Sequence, residues 1–208
     1  MTEEQALLIQ AQKMSVHVSP TQVSRMLAYL EMLKKWNKVH NLTAIRDQNK
    51  MLTHHLLDSL SVVPWLSAKR LLDVGSGGGL PGIPLAIAQP AMHVTLIDSN
   101  HKKTSFLRQA VIELKLNNVE VVNGRVEQWG GEDNNYDGII ARAFAEVTQL
   151  IAQTRSLLTE EGYWYVMKGV YPTSELNTLP HDVQLVAAHS LHVPELMAER
   201  NLLIFSPF

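Results

Sequence analysis

Apolar residues recur at helical spacing through the first third of the chain and in short extended runs through the rest. Val23, Met26, Leu27, Leu30, Leu33 and Trp36 lie three or four apart, the period that lines one face of an α-helix. Ser19 followed by Pro20 marks its start: a hydroxyl N-cap, then a proline whose missing N–H has no partner to lose in the first turn. Asn37 and Asn41 mark its end. A second helical pattern runs through Met51, Leu52, His55, Leu56, Ser59 and Leu60 and stops before Pro64. From Arg70 the character changes. Short apolar runs occur at 71–74, 94–97, 120–122, 138–141 and 163–167, and helical stretches at 81–88, 102–116 and 146–158 separate most of them. Such alternation predicts a parallel sheet with helices on both faces. Two further strand candidates, 183–192 and 201–205, flank Pro194 and a polar segment, as in a closing antiparallel pair. The expected fold class is therefore α/β: a doubly wound, mainly parallel seven-stranded sheet. Residues 1–66 form an N-terminal helical extension, and 67–208 one compact nucleoside-binding unit.

Composition narrows the setting. No apolar run approaches the roughly 20 residues of a membrane span, and Met1-Thr2-Glu3-Glu4-Gln5 lacks the basic region of a secretory signal. The absence of cysteine excludes disulfides, thiolate metal sites and a cysteine nucleophile, and suits a reducing cytoplasm. The net charge of −2 is unevenly spread. Residues 1–70 hold nine Lys+Arg against five Asp+Glu, giving +4; residues 71–208 hold nine against fifteen, giving −6. Lys34, Lys35, Lys38, Arg46 and Lys50 fall close together, with His40, His54 and His55 nearby. A local basic face can hold phosphate on a near-neutral protein; a solvated helix face gives the same pattern. His54-His55 invites a metal reading, but neighbours on a helix point apart and no third ligand is evident, so no metal is expected.

The strongest local signal is Asp73-Val74-Gly75-Ser76-Gly77-Gly78-Gly79-Leu80-Pro81-Gly82, which follows a strand and opens a helix. A nucleoside held at the carboxyl end of a strand presses against backbone, where side chains would collide with it. Asp98 closes the second strand, and a carboxylate there can accept two hydrogen bonds from a ribose diol. Gly75-x-Gly77-x-Gly79 is the form usual for methyltransferases, whereas Gly77-x-Gly79-x-x-Gly82 also satisfies the dinucleotide pattern. Context favours the former. The dinucleotide register starts two residues past the strand end, and little chain remains for the substrate domain of a dehydrogenase.

Trp36-Asn37-Lys38-Val39-His40-Asn41-Leu42-Thr43, His55-Leu56-Leu57-Asp58-Ser59, the glycine loop through Ile83-Pro84-Leu85-Ala86, and Ala141-Arg142-Ala143-Phe144-Ala145 together resemble the ribosomal RNA small subunit methyltransferase G family, also called glucose-inhibited division protein B. The resemblance covers nearly the whole chain. It implies a cytoplasmic bacterial enzyme that moves a methyl group from S-adenosylmethionine to N7 of a guanine, position 527, in the 530 loop of 16S rRNA. Its partner would be that rRNA, within the small subunit or an assembly intermediate, met by a monomer that touches no membrane. Cofactor positions carried over by motif are Gly75, Gly77, Leu80, Asp98, Val126, Glu127 and Arg142. Ser76 and Gly78 stand where Thr and often Pro are expected; both keep the loop open.

Arg142 is also the candidate catalytic residue. It can anchor a phosphate or guanine O6, hold the cofactor carboxylate, or form a structural ion pair with a helix carboxylate. Lys168, at the end of the fifth strand, and Arg125 can each meet RNA phosphate or be solvated. Together with Lys34, Lys35, Lys38 and Arg46 they make up the RNA-binding candidates. Asn41 can read a base or cap a turn, and the turn is favoured. Two other readings compete: a methyltransferase of a small molecule or protein, and a nucleoside-binding regulator without chemistry.

Overall fold

The computed structural model describes residues 2–130, 135–144 and 146–208, the side chains of residues 48 and 49 aside. Of the motif residues above, Met1 and Ala145 lie outside this set. Helices α1 (Glu3–Lys13) and α2 (Pro20–His40) each begin with a capping box, Thr2 with Gln5 and Ser19 with Gln22. In each box two orphan N–H groups of the first turn find side-chain acceptors. Gln22 does more. Its Nε2 donates to the carbonyls of Ile87 and Ala88, at 2.8 and 3.0 Å, and so ties the start of α2 to the chain below it. Asn41 ends α2 in the left-handed conformation at φ 51°, as a turn residue.

The second helical pattern is not one regular helix. A short α3 (Gln48–Met51) passes into a π-helical stretch, Leu52–Leu57, and returns to α4 (Asp58–Leu60). Strands β1 (Arg70–Val74), β2 (His93–Asp98), β3 (Val119–Asn123), β4 (Tyr136–Arg142) and β5 (Leu158–Lys168) follow. They alternate with α5 (Gly82–Ala88), α6 (His101–Glu113) and α7 (Val147–Thr154). Then come the short α8 (Thr173–Leu176), β6 (Val183–Ser190) and β7 (Asn201–Pro207). The sheet order is β3-β2-β1-β4-β5-β7-β6. The first five strands are parallel, and β7 runs antiparallel to both β5 and β6. The order reverses between β1 and β4, so the crevice at the carboxyl ends of these strands is the natural ligand site.

One boundary differs from expectation. The helix expected over 146–158 stops at Thr154, a 3-10 turn covers Arg155–Leu157, and β5 starts at Leu158. The polar run Thr159-Glu160-Glu161 hides this first half of β5, because it lies at the exposed end of the sheet. Leu158 is nevertheless paired with Tyr136.

Successive residues of one strand serve opposite cores. Leu71 joins Leu33, Leu57 and Phe106 on the face covered by the N-terminal helices, α5 and α6. Leu72 joins Ile139, Leu150 and Trp164 on the face covered by α7. The N-terminal helices thus share a core with the sheet. Among the described residues no helix is long and apolar enough to cross a membrane.

Candidate active site

The glycine loop is held by backbone. Gly75 and Ser76 both donate to the carbonyl of Ile97, at 2.9 and 3.1 Å, which pins the loop to β2. Gly75 sits at φ +69°, a conformation that side chains disfavour. Gly82 is required for a different reason: an added Cβ would collide with Leu96 and with the Asp73 carboxylate. Its N–H donates to Asp73 Oδ2 at 3.0 Å. Burial pushes the Asp73 carboxyl up to about 7, against the opposing pull of the Gly82 N–H and Arg142. The other oxygen, Oδ1, has no hydrogen-bond partner among the described residues.

Beyond the loop lies a polar cleft of about 400 Å³. Gly75, Asp98, Val126, Glu127 and Arg142 line it, together with Arg125 and Phe144. Five of the seven expected cofactor residues therefore meet there. The other two do not line it. Gly77 acts through its N–H, which donates to Asp98 Oδ2 at 2.9 Å, and Leu80 is buried in the core. Asp98 Oδ1 accepts from Asn100 N–H at 2.8 Å, and Lys103 Nζ stands 3.7 Å from Oδ2. Each carboxylate oxygen keeps a second lone pair, so the group can still receive a diol.

A second hollow, of about 370 Å³, adjoins the first. Arg142 and Ala143 line both, and form the wall between them. Ala143 stands at φ +58°, a strained setting for a residue with a Cβ. The hollow is built from segments far apart in sequence: Thr43–Ile45, His54 to Asp58, Met167–Gly169 and Arg200. At its base Asp58, only 2% exposed, receives two guanidinium groups. Arg142 NH1 donates to Oδ2 at 2.9 Å and Arg200 Nε to Oδ1 at 2.7 Å. Arg142 NH1 also donates to the carbonyl of His54 at 3.1 Å. One carboxylate against two guanidiniums leaves a net positive charge. The ion pair with a helix carboxylate, one of the readings open for Arg142, is present, and the side chain still borders both cavities.

His55 is buried beside this cluster, its Nε2 3.1 Å from Thr43 Oγ1. Burial, with Arg142 adding to it, lowers its pKa to about 4, so the ring is neutral near pH 7. His54 turns elsewhere, with Nδ1 3.1 Å from the Lys50 carbonyl. Among the described residues no three His, Asp or Glu side chains gather in a way that could hold a metal ion.

Lys168 lines the second hollow but is not simply solvated. Its Nζ lies 2.8 and 3.0 Å from the two oxygens of Glu175. Arg125 is well exposed at the lip of the cleft, 3.8 Å from Glu127. The other basic candidates border neither cavity. Lys35 and Lys38 are exposed on α2, Lys34 lies 3.5 Å from Glu31, and Arg46 NH2 donates to Asn41 Oδ1 at 2.7 Å. Sequence reasoning missed Arg200 and left Asp58 without a role. Asp58 had one signal: a carboxylate amid the apolar run Leu56-Leu57 and Leu60 calls for a buried cation. Arg200 had none.

Known proteins match the chain along most of its length. The family model described as rRNA small subunit methyltransferase G matches residues 22–204. The ribosomal RNA small subunit methyltransferase G of Neisseria gonorrhoeae is 52% identical over 194 residues, 93% of each chain. That of Chromobacterium violaceum is 49% identical over 191 residues, 91% of each chain. Among solved structures, a SAM-dependent methyltransferase from Aquifex aeolicus superposes with a TM-score of 0.60 at 18% identity, covering 83% of this chain and 97% of that one. The last likeness concerns the fold alone. Taken with the family match along most of its length, the chain belongs to the rRNA small subunit methyltransferase G family.

Proposed function

We propose that this protein methylates N7 of the guanine at position 527 in the 530 loop of 16S rRNA, with S-adenosylmethionine as donor. The observation that carries the reading is the pair of cavities sharing the wall Arg142–Ala143. A transfer between two bound partners needs two adjoining seats that bring the reacting atoms into line, and such alignment is worth on the order of 7–11 kcal/mol at best. The names carried by the relatives support rRNA of the small subunit as the acceptor.

The polar cleft fits the donor. Gly75 leaves its floor open, Asp98 has lone pairs for the ribose diol, and Val126 and Glu127, which line the cleft, would flank the adenine. S-adenosylmethionine supplies a methyl group activated on a sulfonium. The second hollow fits the acceptor. Guanine N7 has an in-plane lone pair and no proton near neutral pH, so no general base is needed. Arg142 and Arg200, held by Asp58, offer donors to guanine O6 or to a neighbouring phosphate. The neutral His55 adds no positive charge beside a ring that becomes cationic on methylation.

A folded rRNA must expose the base before N7 can enter. The substrate on this reading is an assembled particle, met by a monomer in the bacterial cytoplasm, with support from the small-subunit rRNA that the relatives' names give. The test uses labelled S-adenosylmethionine and small subunits from a strain lacking this gene, followed by mapping of the labelled base. Label at guanine N7 in the 530 loop is the expected result. Equal labelling of protein-free rRNA would remove the particle from the reading. Cofactor binding with no labelled rRNA would overturn the function.

A further inference from the structure

Beside the acceptor hollow lies another depression, of about 350 Å³, that methyl transfer does not use. Its walls are Lys50, Thr53 and His54 on one side and Glu195, Leu196 and Met197 on the other. His54 borders both hollows, so the two adjoin at this residue. Met197 is 99% exposed. An unbranched apolar side chain fully in water contributes nothing to folding through burial, and here it presents apolar surface at the rim of a depression.

The loop that carries it is anchored. Val193 and Leu191 on the near side of the loop are buried, and Leu196 packs against the core. Leu196 N–H donates to the Val193 carbonyl at 3.1 Å. Glu195, at φ +65°, accepts from Gln10 Nε2 at 2.7 Å, which turns its carboxylate toward α1. Met197 is therefore held out at the lip by anchored backbone. Across from it, Lys50 is exposed and makes no ion pair among the described residues. The depression thus offers an apolar face, a cation and a position next to the acceptor seat. An apolar contact beside a cation can serve an unpaired base and its phosphate.

We propose that this depression seats an unpaired ribonucleotide flanking the methyl acceptor, with Met197 against the face of its base and Lys50 on its phosphate. The inference rests on the rRNA reading above and adds a second nucleotide subsite to it. The path of the strand follows: the acceptor base enters the hollow over Asp58, the chain passes His54, and the neighbouring base leaves over Met197.

The test measures affinity for small subunits lacking the modification across a series of salt concentrations, together with cofactor affinity and melting temperature. Lys50→Ala is expected to weaken binding and to make the slope of log affinity against log salt shallower by about one unit, as loss of one phosphate contact does. Met197→Ala is expected to weaken binding roughly threefold to tenfold with the slope unchanged, because stacking releases no counterions. Ile112→Ala, a control at another exposed apolar residue outside all three cavities, is expected to change nothing. Cofactor affinity stays at the parent value throughout. Parent affinity and slope in both variants would overturn the subsite. So would losses that extend to cofactor affinity or melting temperature, which a merely structural role produces. A parent that binds cofactor but neither binds nor methylates subunits would instead bring down the rRNA reading, and the subsite with it.

Discussion

The two cavities at the carboxyl edge of the sheet are built by opposite means. The floor of the donor cleft is made chiefly from backbone, at the ends of β1 and β2. Gly75, Gly77 and Asp98 lie within one β-α-β unit, where main-chain N–H groups of the loop donate to the Ile97 carbonyl and the Asp98 carboxylate. The acceptor hollow is made from side chains brought together across the fold. Asp58 reaches Arg142 and Arg200 over 84 and 142 residues of sequence. Backbone sites tolerate change in side chains and fail when a glycine gains a Cβ. Side-chain sites fail when one member of a charge network is removed. On the proposed reading, a common donor is served by local backbone and a particular acceptor by long-range side chains, a division that suits an enzyme whose fold is shared with other methyltransferases.

That division is open to direct attack. The largest effect is expected at Asp58. Asp58→Ala leaves two guanidinium groups facing each other without a counterion and should cost roughly 3 kcal/mol of stability in chemical denaturation, the low end for a broken buried pair. Arg142 and Arg200 keep partial exposure, 22% and 24%, which tempers the loss. Replacing all three by apolar residues, Asp58→Leu with Arg142→Met and Arg200→Met, should restore most of the stability and none of the methylation. Restored methylation would show that the cluster is structural only.

Next come two variants that separate the cavities. Asp98→Ala should raise the dissociation constant of the cofactor about tenfold or more, the size of a lost charged hydrogen bond, with affinity for small subunits unchanged in a direct binding assay. Arg200→Gln should do the reverse, lowering kcat/KM for subunits about tenfold with cofactor affinity preserved. If each variant impaired both partners alike, the division between cleft and hollow would not hold.

The smallest effect is in the pH dependence of folding, where two buried groups oppose each other. His55 has its pKa lowered from 6.5 to about 4, so its contribution to stability is present above pH 6.5 and is lost as pH falls through 4. Asp73 is raised from 3.8 to about 7, so its contribution is present below pH 3.8 and is lost as pH rises through 7. Between pH 4 and 6.5 the two slopes cancel in part; above 6.5 only Asp73 still titrates. Asp73→Asn should therefore gain stability relative to the parent between pH 6 and pH 8 in urea denaturation. A constant difference across that range would remove Asp73 as a titrating group.

Much of this architecture was legible in the chain because it is local. Helical and extended periods located α2, the parallel strands and the closing antiparallel pair. A glycine cluster between a strand and a helix, with Asp98 at the next strand end, located the donor cleft, since a strand–loop–helix unit brings those residues together wherever it folds. Locality also explains the misses. The first half of β5 carries no strand signal, because Thr159, Glu160 and Glu161 lie on an exposed stretch and no apolar alternation marks it. Lys168 reads as a free cation, but Glu175 from the short α8 claims it. Arg142 carried four readings, and a residue on another element had to settle which partner it meets. By itself the sequence determined the order of elements, the glycine loop and the family. Tertiary structure alone decided that Asp58, Arg142 and Arg200 form one cluster, that it stands at the wall between two cavities, and that Met197 is left in water beside it. Backbone period and loop chemistry act over a few residues, whereas the pairing of charges depends on which strands and helices the sheet sets side by side.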